Sequence, residues 1–330
     1  MTKKIDFENI VLDYSKYPEV EQKILDTYGQ NNGCILHPHW IKDSKRDFVS
    51  IASNHGAFRS LSWLGGGYPE KTDYVQPYED RYHFCDMFAN LDTIDVQSGM
   101  YQFYQIEELY NKYNEFPSPD EGISVLEIGG GYGRLAMFFL AYFGENCHYV
   151  SVDFAPSSLL FAPQVIRQLF LGLRVGQYDS PKNLYDYHFY SLPAWETGNL
   201  FIDFYDQGIN IHSFQEMDRR SVDFYKGILW ESMKPSGMLY VVNNPPEKDG
   251  WYTNHNYYNL GSLFKEFYSQ KYPIGADWEK ICGVPTLERA FLKNEPDIAD
   301  TLCEQCGHIY AITKGDVESI CPNCTSININ

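Results

Sequence analysis

The chain has 330 residues, 44% of them hydrophobic and 21% charged, proportions that suit one large domain with extensions or two ordinary soluble domains. Lys+Arg number 26 against 44 Asp+Glu, a formal charge of −18, which repels phosphate backbones and anionic lipid. Nucleic acid is therefore excluded as a first-choice partner, since the one basic cluster, Lys42 to Arg46, is short and interrupted. The opening residues, Met1 to Glu8, lack the apolar stretch of a signal peptide. The longest strongly apolar run, Leu135 to Phe143, is too short to span a bilayer. The expected location is the cytoplasm, without membrane insertion. Aromatic residues make up 16% of the chain, which serves either thick cores or loops that stack on a sugar or an adenine.

Residues 1 to 118 mix helical and irregular stretches, with turn-rich pieces such as Gly65-Gly66-Gly67. Phe103, Ile106, Leu109 and Tyr110 recur at helical spacing within Gln102 to Tyr113. Phe116-Pro117-Ser118-Pro119-Asp120 then reads as a boundary loop. From Ile123 the pattern becomes strand, glycine turn, helix. Strands are expected at Ile123 to Ile128, Tyr149 to Phe154, His188 to Leu192, Gln207 to His212 and Met238 to Asn243. Helices are expected at Leu135 to Tyr142, Pro156 to Gly172 and about Gln215 to Met233, with Pro235-Ser236-Gly237 as a turn. Thr286 to Lys293 suits an antiparallel edge strand. Alternating strands and helices imply an α/β fold with a mostly parallel sheet covered on both faces.

The sharpest motif is Val125-Leu126-Glu127-Ile128-Gly129-Gly130-Gly131-Tyr132-Gly133-Arg134. A strand that runs through glycines into a helix lets the backbone approach a ligand that side chains would block. Dinucleotide enzymes use a similar turn, and a tight turn without a ligand is also open. Two carboxylates move the reading. Glu127, two residues before the first glycine, can meet a cationic amino group, which a nicotinamide site has no use for. Asp153, at the end of the second strand, can accept hydrogen bonds from both hydroxyls of a ribose.

Together these residues resemble the motif set of class I, Rossmann-like S-adenosylmethionine-dependent methyltransferases over roughly residues 120 to 245. The resemblance implies a mostly parallel seven-stranded sheet. It also implies that Glu127, Gly129, Gly130, Gly131 and Gly133 surround the methionine moiety. Asp153 would lie on the ribose and Ser191 or Leu192, after the third strand, near the adenine, with Phe154 also among the cofactor-binding residues. Three further segments resemble a narrower family, the sugar O-methyltransferases found with bacterial surface-polysaccharide genes. They are Leu126 to Ala136, Ile209 to Met217 and Leu239 to Asn244, and of these only Ser213-Phe214-Gln215-Glu216-Met217 points inside the class.

O-methylation requires alignment of a hydroxyl and removal of its proton. A histidine titrates near neutrality. His212, just after the fourth strand, is the first choice of base, with His255 second and Glu216 able to orient either the base or the acceptor. The stretch Trp251 to Tyr258, all aromatic, amide and polar, suits a sugar-binding lid. His37-Pro38-His39 has no matching ligands nearby and is not read as a metal site.

Cys303 and Cys306, then Cys321 and Cys324, form two Cys-x-x-Cys pairs. Two such knuckles supply four thiolates to one tetrahedral ion, so a structural Zn2+ with no open position is expected. Glu304, Asp316 and Glu318 against Lys314 suit docking of a protein partner better than nucleic acid.

The domain reading is a helical or irregular substrate cap over 1–118, a methyltransferase domain over 119–298 and a zinc ribbon over 299–330. The expected activity is methyl transfer to a hydroxyl of a sugar or surface-polysaccharide precursor. The alternatives are a catalytically weak S-adenosylmethionine-binding protein whose ribbon recruits a partner, or a methyltransferase acting on protein or RNA.

Overall fold

The computed structural model describes residues 10–13, 15–28, 94–180, 183–217, 219–243, 260, 263–273, 286–294, 298–302, 309–313, 318–320 and 327–329. They fall into two compact units, one ending at Ala194 and one running from Trp195 onward.

The first unit is built on parallel strands. β1 (Ile123–Ile128) pairs with β2 (Cys147–Asp153), and beyond β2 lie β4 (Phe189–Pro193) and the short β3 (Val175–Gly176). Every residue of β1 and β4 is buried, as expected of strands covered on both faces. The crossovers are α3 (Arg134–Phe143) between β1 and β2, and α4 (Pro156–Leu169) after β2. α3 buries Leu135 through Leu140 in succession, so it has no solvent stripe and needs cover on more than one side. Part of that cover is α2 (Ile94–Tyr110), whose Phe103 ring meets Phe139 edge-on at 5.0 Å.

α2 begins two turns earlier than the spacing of its apolar residues predicts, and it ends at Tyr110. Gly99 and Ser98 weaken its first half as sequence, yet Gly99 gives room to the Phe138 ring of α3, and the packing outweighs the propensity. Earlier still, α1 (Tyr17–Tyr28) buries Tyr17, Val20 and Ile24, one face at helical spacing. Residues 10–13 run along α4. Gln164 accepts from Asp13 N–H at 2.6 Å and donates to Asp13 C=O at 2.8 Å, and Gln168 does the same for Val11. One helix face thus satisfies an otherwise unpaired backbone segment.

In the second unit β5 (Tyr205–Ile211) runs parallel to β6 (Met233–Asn243). A 3-10 turn at Phe214–Glu216 and α5 (Arg219–Ser232) connect them, in place of one continuous helix. β6 begins at Met233, so Pro235-Ser236-Gly237 sits in a register shift of the strand and is not a turn ahead of it. β8 (Leu287–Lys293) is antiparallel as expected but is not the edge, because β7 (Phe264–Lys271) pairs along its other side. β7 escapes a reading by alternation because its charged residues, Lys265, Glu266 and Lys271, belong to a solvent-facing edge.

Two antiparallel hairpins complete the unit, β9 (Ile298–Leu302) with β10 (Ile309–Thr313), and β11 (Glu318–Ile320) with β12 (Ile327–Ile329). Among the described residues no helix is long and apolar enough to cross a membrane.

Candidate functional site

β1 ends in the glycine turn, and α3 starts directly after it. Gly129 N–H donates to Val152 C=O at 2.7 Å, and Gly133 N–H to Gly130 C=O at 3.0 Å, so the turn is tied both to β2 and to itself. Gly130 and Gly131 have different reasons to be glycine. A Cβ on Gly130 would collide with Ser151 Oγ and lie 2.5 Å from Glu127 Oε2, so its bareness makes room for the carboxyl beneath it. Gly131 has φ +55°, a conformation costly to other residues, and a Cβ there would meet nothing within 4 Å among the described residues. None of the described residues fills the space over Gly131.

Two carboxyls flank this turn. The parallel register sets Glu127 beside Ser151, and side chains alternate along β2, so Tyr149, Ser151 and Asp153 share the face of Glu127. Glu127 is 4% exposed and accepts the Tyr149 hydroxyl at 2.7 Å. Burial pushes its carboxyl up to about 7, helped by Asp153 and opposed by the Tyr149 hydroxyl and the Arg134 guanidinium. Arg134, at the start of α3, also donates to Gln102 Oε1 of α2 at 3.1 Å. Asp153 closes β2. Its Oδ1 accepts the N–H groups of Phe154 at 2.7 Å and Ala155 at 2.9 Å, and its Oδ2 that of Gly131 at 3.0 Å. Burial raises its pKa, against those backbone donors and Ser158.

Asp153 therefore joins the glycine turn to the start of α4. A carboxylate has about four acceptor positions, and three backbone donors with the Ser158 side chain fill them. A hydroxyl-bearing ligand would therefore take the place of Ser158 or share an oxygen with a backbone donor. The arrangement suits a molecule with a cation near Glu127, a diol near Asp153 and a body lying over Gly131.

Ser191 and Leu192 lie within β4 rather than after it, 1% and 0% exposed, and the residue level with Asp153 is Pro193. All the expected glycine-turn, ribose and adenine residues belong to the first unit.

The second unit carries His212. It follows β5 with φ +58°, uncommon for a non-glycine residue and worth of order 1 kcal/mol of strain. Its N–H donates to Val242 C=O at 2.7 Å, and its ring meets Tyr272 edge-on at 6.3 Å. Two buried amides hold the turn that follows. Asn210 donates to Ser213 Oγ at 2.6 Å and accepts from Phe214 N–H at 3.2 Å, and Asn243 donates to Asn210 Oδ1 at 2.8 Å. Strain over-determined by buried hydrogen bonds is a mark of functional turns.

The side chain of Glu216 lies outside the described residues, as do His255, the lid stretch, His37, His39 and Cys303, Cys306, Cys321 and Cys324. No group of three potential metal ligands occurs among the described residues. Sequence reasoning missed Tyr149, Ser151, Asn210 and Asn243. The signal was present for the first two, because period-two spacing back from Asp153 lands on them. Nothing comparable marks the asparagines, which need the pairing of β5 with β6 to meet.

No protein-family model matches the sequence, and no curated protein matches it. Among solved structures it is similar to a geranyl diphosphate C-methyltransferase from Streptomyces coelicolor A3(2), crystallised with Mg2+, geranyl diphosphate and S-adenosyl-L-homocysteine. The identity is 10% over 79% of this chain and 100% of that one, with a TM-score of 0.46. A geranyl diphosphate methyltransferase in complex with GPP and sinefungin aligns at 12% identity over 77% and 99%, with a TM-score of 0.46. The [4+2]-cyclase SpnF aligns at 13% over 57% and 80%, with a TM-score of 0.40. Likenesses of this degree assign no activity to the chain.

Proposed function

We propose that the chain binds S-adenosylmethionine on the first unit and transfers its methyl group to a hydroxyl of a sugar or surface-polysaccharide precursor. The observation that carries the reading is the pair of carboxyls around the glycine turn. Glu127 suits the α-ammonium, Asp153 the ribose diol, and the open side of Gly131 the body of the molecule. When bound, S-adenosylmethionine supplies an electrophilic methyl on a sulfonium. The protein then has to position the acceptor and take its proton. His212 is the candidate base, supported by its strained turn and by the amides of Asn210 and Asn243 that fix it. His255 and Glu216 stand as further candidates on the acceptor side.

The cysteine pairs fit a structural zinc. Cys303 directly follows Leu302, which pairs with Ile309, and Cys321 directly follows Ile320, which pairs with Ile327. Both pairs thus occupy the same positions in the connections of two successive hairpins, 303–308 and 321–326. Such a repeat serves four-thiolate coordination, and its metal would brace the C-terminal segment for docking a protein partner.

The test is incubation with methyl-labelled S-adenosylmethionine and a panel of nucleotide sugars and glycans. Label on a sugar hydroxyl is the expected outcome. Label found only on protein or RNA would replace the acceptor class, and binding without transfer to any acceptor would favour a cofactor-binding protein.

A further inference from the structure

Glu127 is held from one side. The Tyr149 hydroxyl donates to Oε2, and no other hydrogen bond reaches this carboxyl among the described residues. Tyr149 is itself fully buried, its ring set between Phe139 at 5.7 Å and Phe189 at 6.1 Å, so its hydroxyl is aimed by packing. The bare Gly130 leaves that oxygen its place under the turn. The charged groups facing the carboxyl are Arg134 from α3 and Asp153 from β2, one favouring the anion and the other opposing it. While the hydroxyl donates to Oε2, a proton on the neutral acid belongs on Oε1. That is the oxygen left for a ligand's cation.

We infer that Tyr149 is a positioning residue, which turns Oε1 of Glu127 toward the α-ammonium of the bound S-adenosyl compound, and that arrival of this ammonium expels the Oε1 proton to solvent. This rests on the S-adenosylmethionine reading above. The balance is simple: the carboxylic acid becomes a carboxylate, the proton leaves to buffer, and the ammonium keeps its own protons. The burial that brings Glu127 to about 7 makes the neutral form abundant near neutrality, so the exchange is measurable there.

The experiment is titration calorimetry of the full chain with S-adenosylhomocysteine, in buffers of different ionisation heat, from pH 5.5 to 7.5. At pH 6.5 roughly three quarters of a proton should be released per ligand bound. Affinity should rise with pH to a plateau above neutrality. Tyr149→Phe keeps the buried ring and removes the donor. Its affinity midpoint should move to higher pH, and its affinity at pH 7 should fall roughly five- to tenfold. Binding of 5′-methylthioadenosine, which has the same nucleoside and no amino acid, should stay unchanged.

A Tyr149→Phe protein with the wild-type midpoint and affinity overturns the inference, as does wild-type protein that binds and releases no proton. Should Tyr149→Phe fail to fold, Glu127→Gln decides, since continued proton release in that variant also overturns it. Wild-type protein that binds neither compound overturns the S-adenosylmethionine reading itself, an outcome distinct from the others.

Discussion

Asp153 ties the glycine turn to the start of α4 and, in the proposed function, also takes the ribose, and the two roles respond differently to substitution. An asparagine can still accept from Phe154 and Ala155, but its amino group would face the Gly131 N–H, donor against donor. Asp153→Asn should therefore lower stability by about 1–3 kcal/mol as well as weakening cofactor binding, measurable by denaturant unfolding without ligand. Glu127 offers a prediction with a definite sign. Its folded pKa is about 7 against an ordinary 4.5, so its contribution to stability is fully present below about 4.5 and is lost as pH rises through 7. Glu127→Gln should remove that loss, making the ligand-free protein more stable at pH 8 by on the order of 2–3 kcal/mol while weakening binding of S-adenosylhomocysteine. An unchanged unfolding midpoint at pH 8 would contradict the cost assigned to the buried charge. For His212, a general base is worth roughly a hundred- to ten-thousand-fold in rate. His212→Ala should cut turnover by that factor with cofactor affinity retained, and near-normal turnover would pass the role to His255 or Glu216.

Elements explain why some of this was legible beforehand and some was not. β1 announces itself as a short apolar run, and the glycine turn marks its end. β2, β4 and β5, with polar residues such as Ser151 and Asn210 among the apolar ones, follow from the alternation of strand and helix patterns after it. α2 is harder, because its first half is defined by what Gly99 packs against. Gly99→Ala gains about 1 kcal/mol of helix propensity, yet its methyl would strike the Phe138 ring. The substitution should destabilise the chain by about 1–3 kcal/mol in equilibrium unfolding, and a stabilised variant would show that the ring yields freely. β7 and the inner position of β8 were hidden for a related reason. Glu288 reads as a surface residue, but it is fully buried and accepts from the Tyr240 and Tyr268 hydroxyls and from Gln270. Buried acids look polar in sequence until their donors arrive from other strands. The cysteine pairs are the converse, a proposed site read from regular spacing with little help from hydrophobic pattern. Protein purified without added metal should carry about one zinc per chain by elemental analysis, and a metal-free protein with a protease-resistant C-terminal segment would refute the ribbon.

At the scale of the whole molecule, the part of the function most visible in sequence is the part held within one unit. Glu127, the glycines and Asp153 lie on consecutive elements, so their spacing along the chain already encodes their arrangement. The acceptor side is composed otherwise. The turn of His212 depends on asparagines from two strands, and the sequence from Trp251 to Tyr258, with His255, shows no periodicity. This is why the proposed cofactor rests on residues whose arrangement the sequence encodes, whereas the proposed sugar acceptor rests on a resemblance. The central claim is the cofactor, and the most direct measurement is calorimetric titration of the chain with S-adenosylhomocysteine at pH 8, repeated with Asp153→Ala. The account predicts one ligand per chain and an affinity about ten- to a hundredfold weaker in the variant, the loss of one or two charged hydrogen bonds. Absence of binding, or equal affinity in the two proteins, would contradict it.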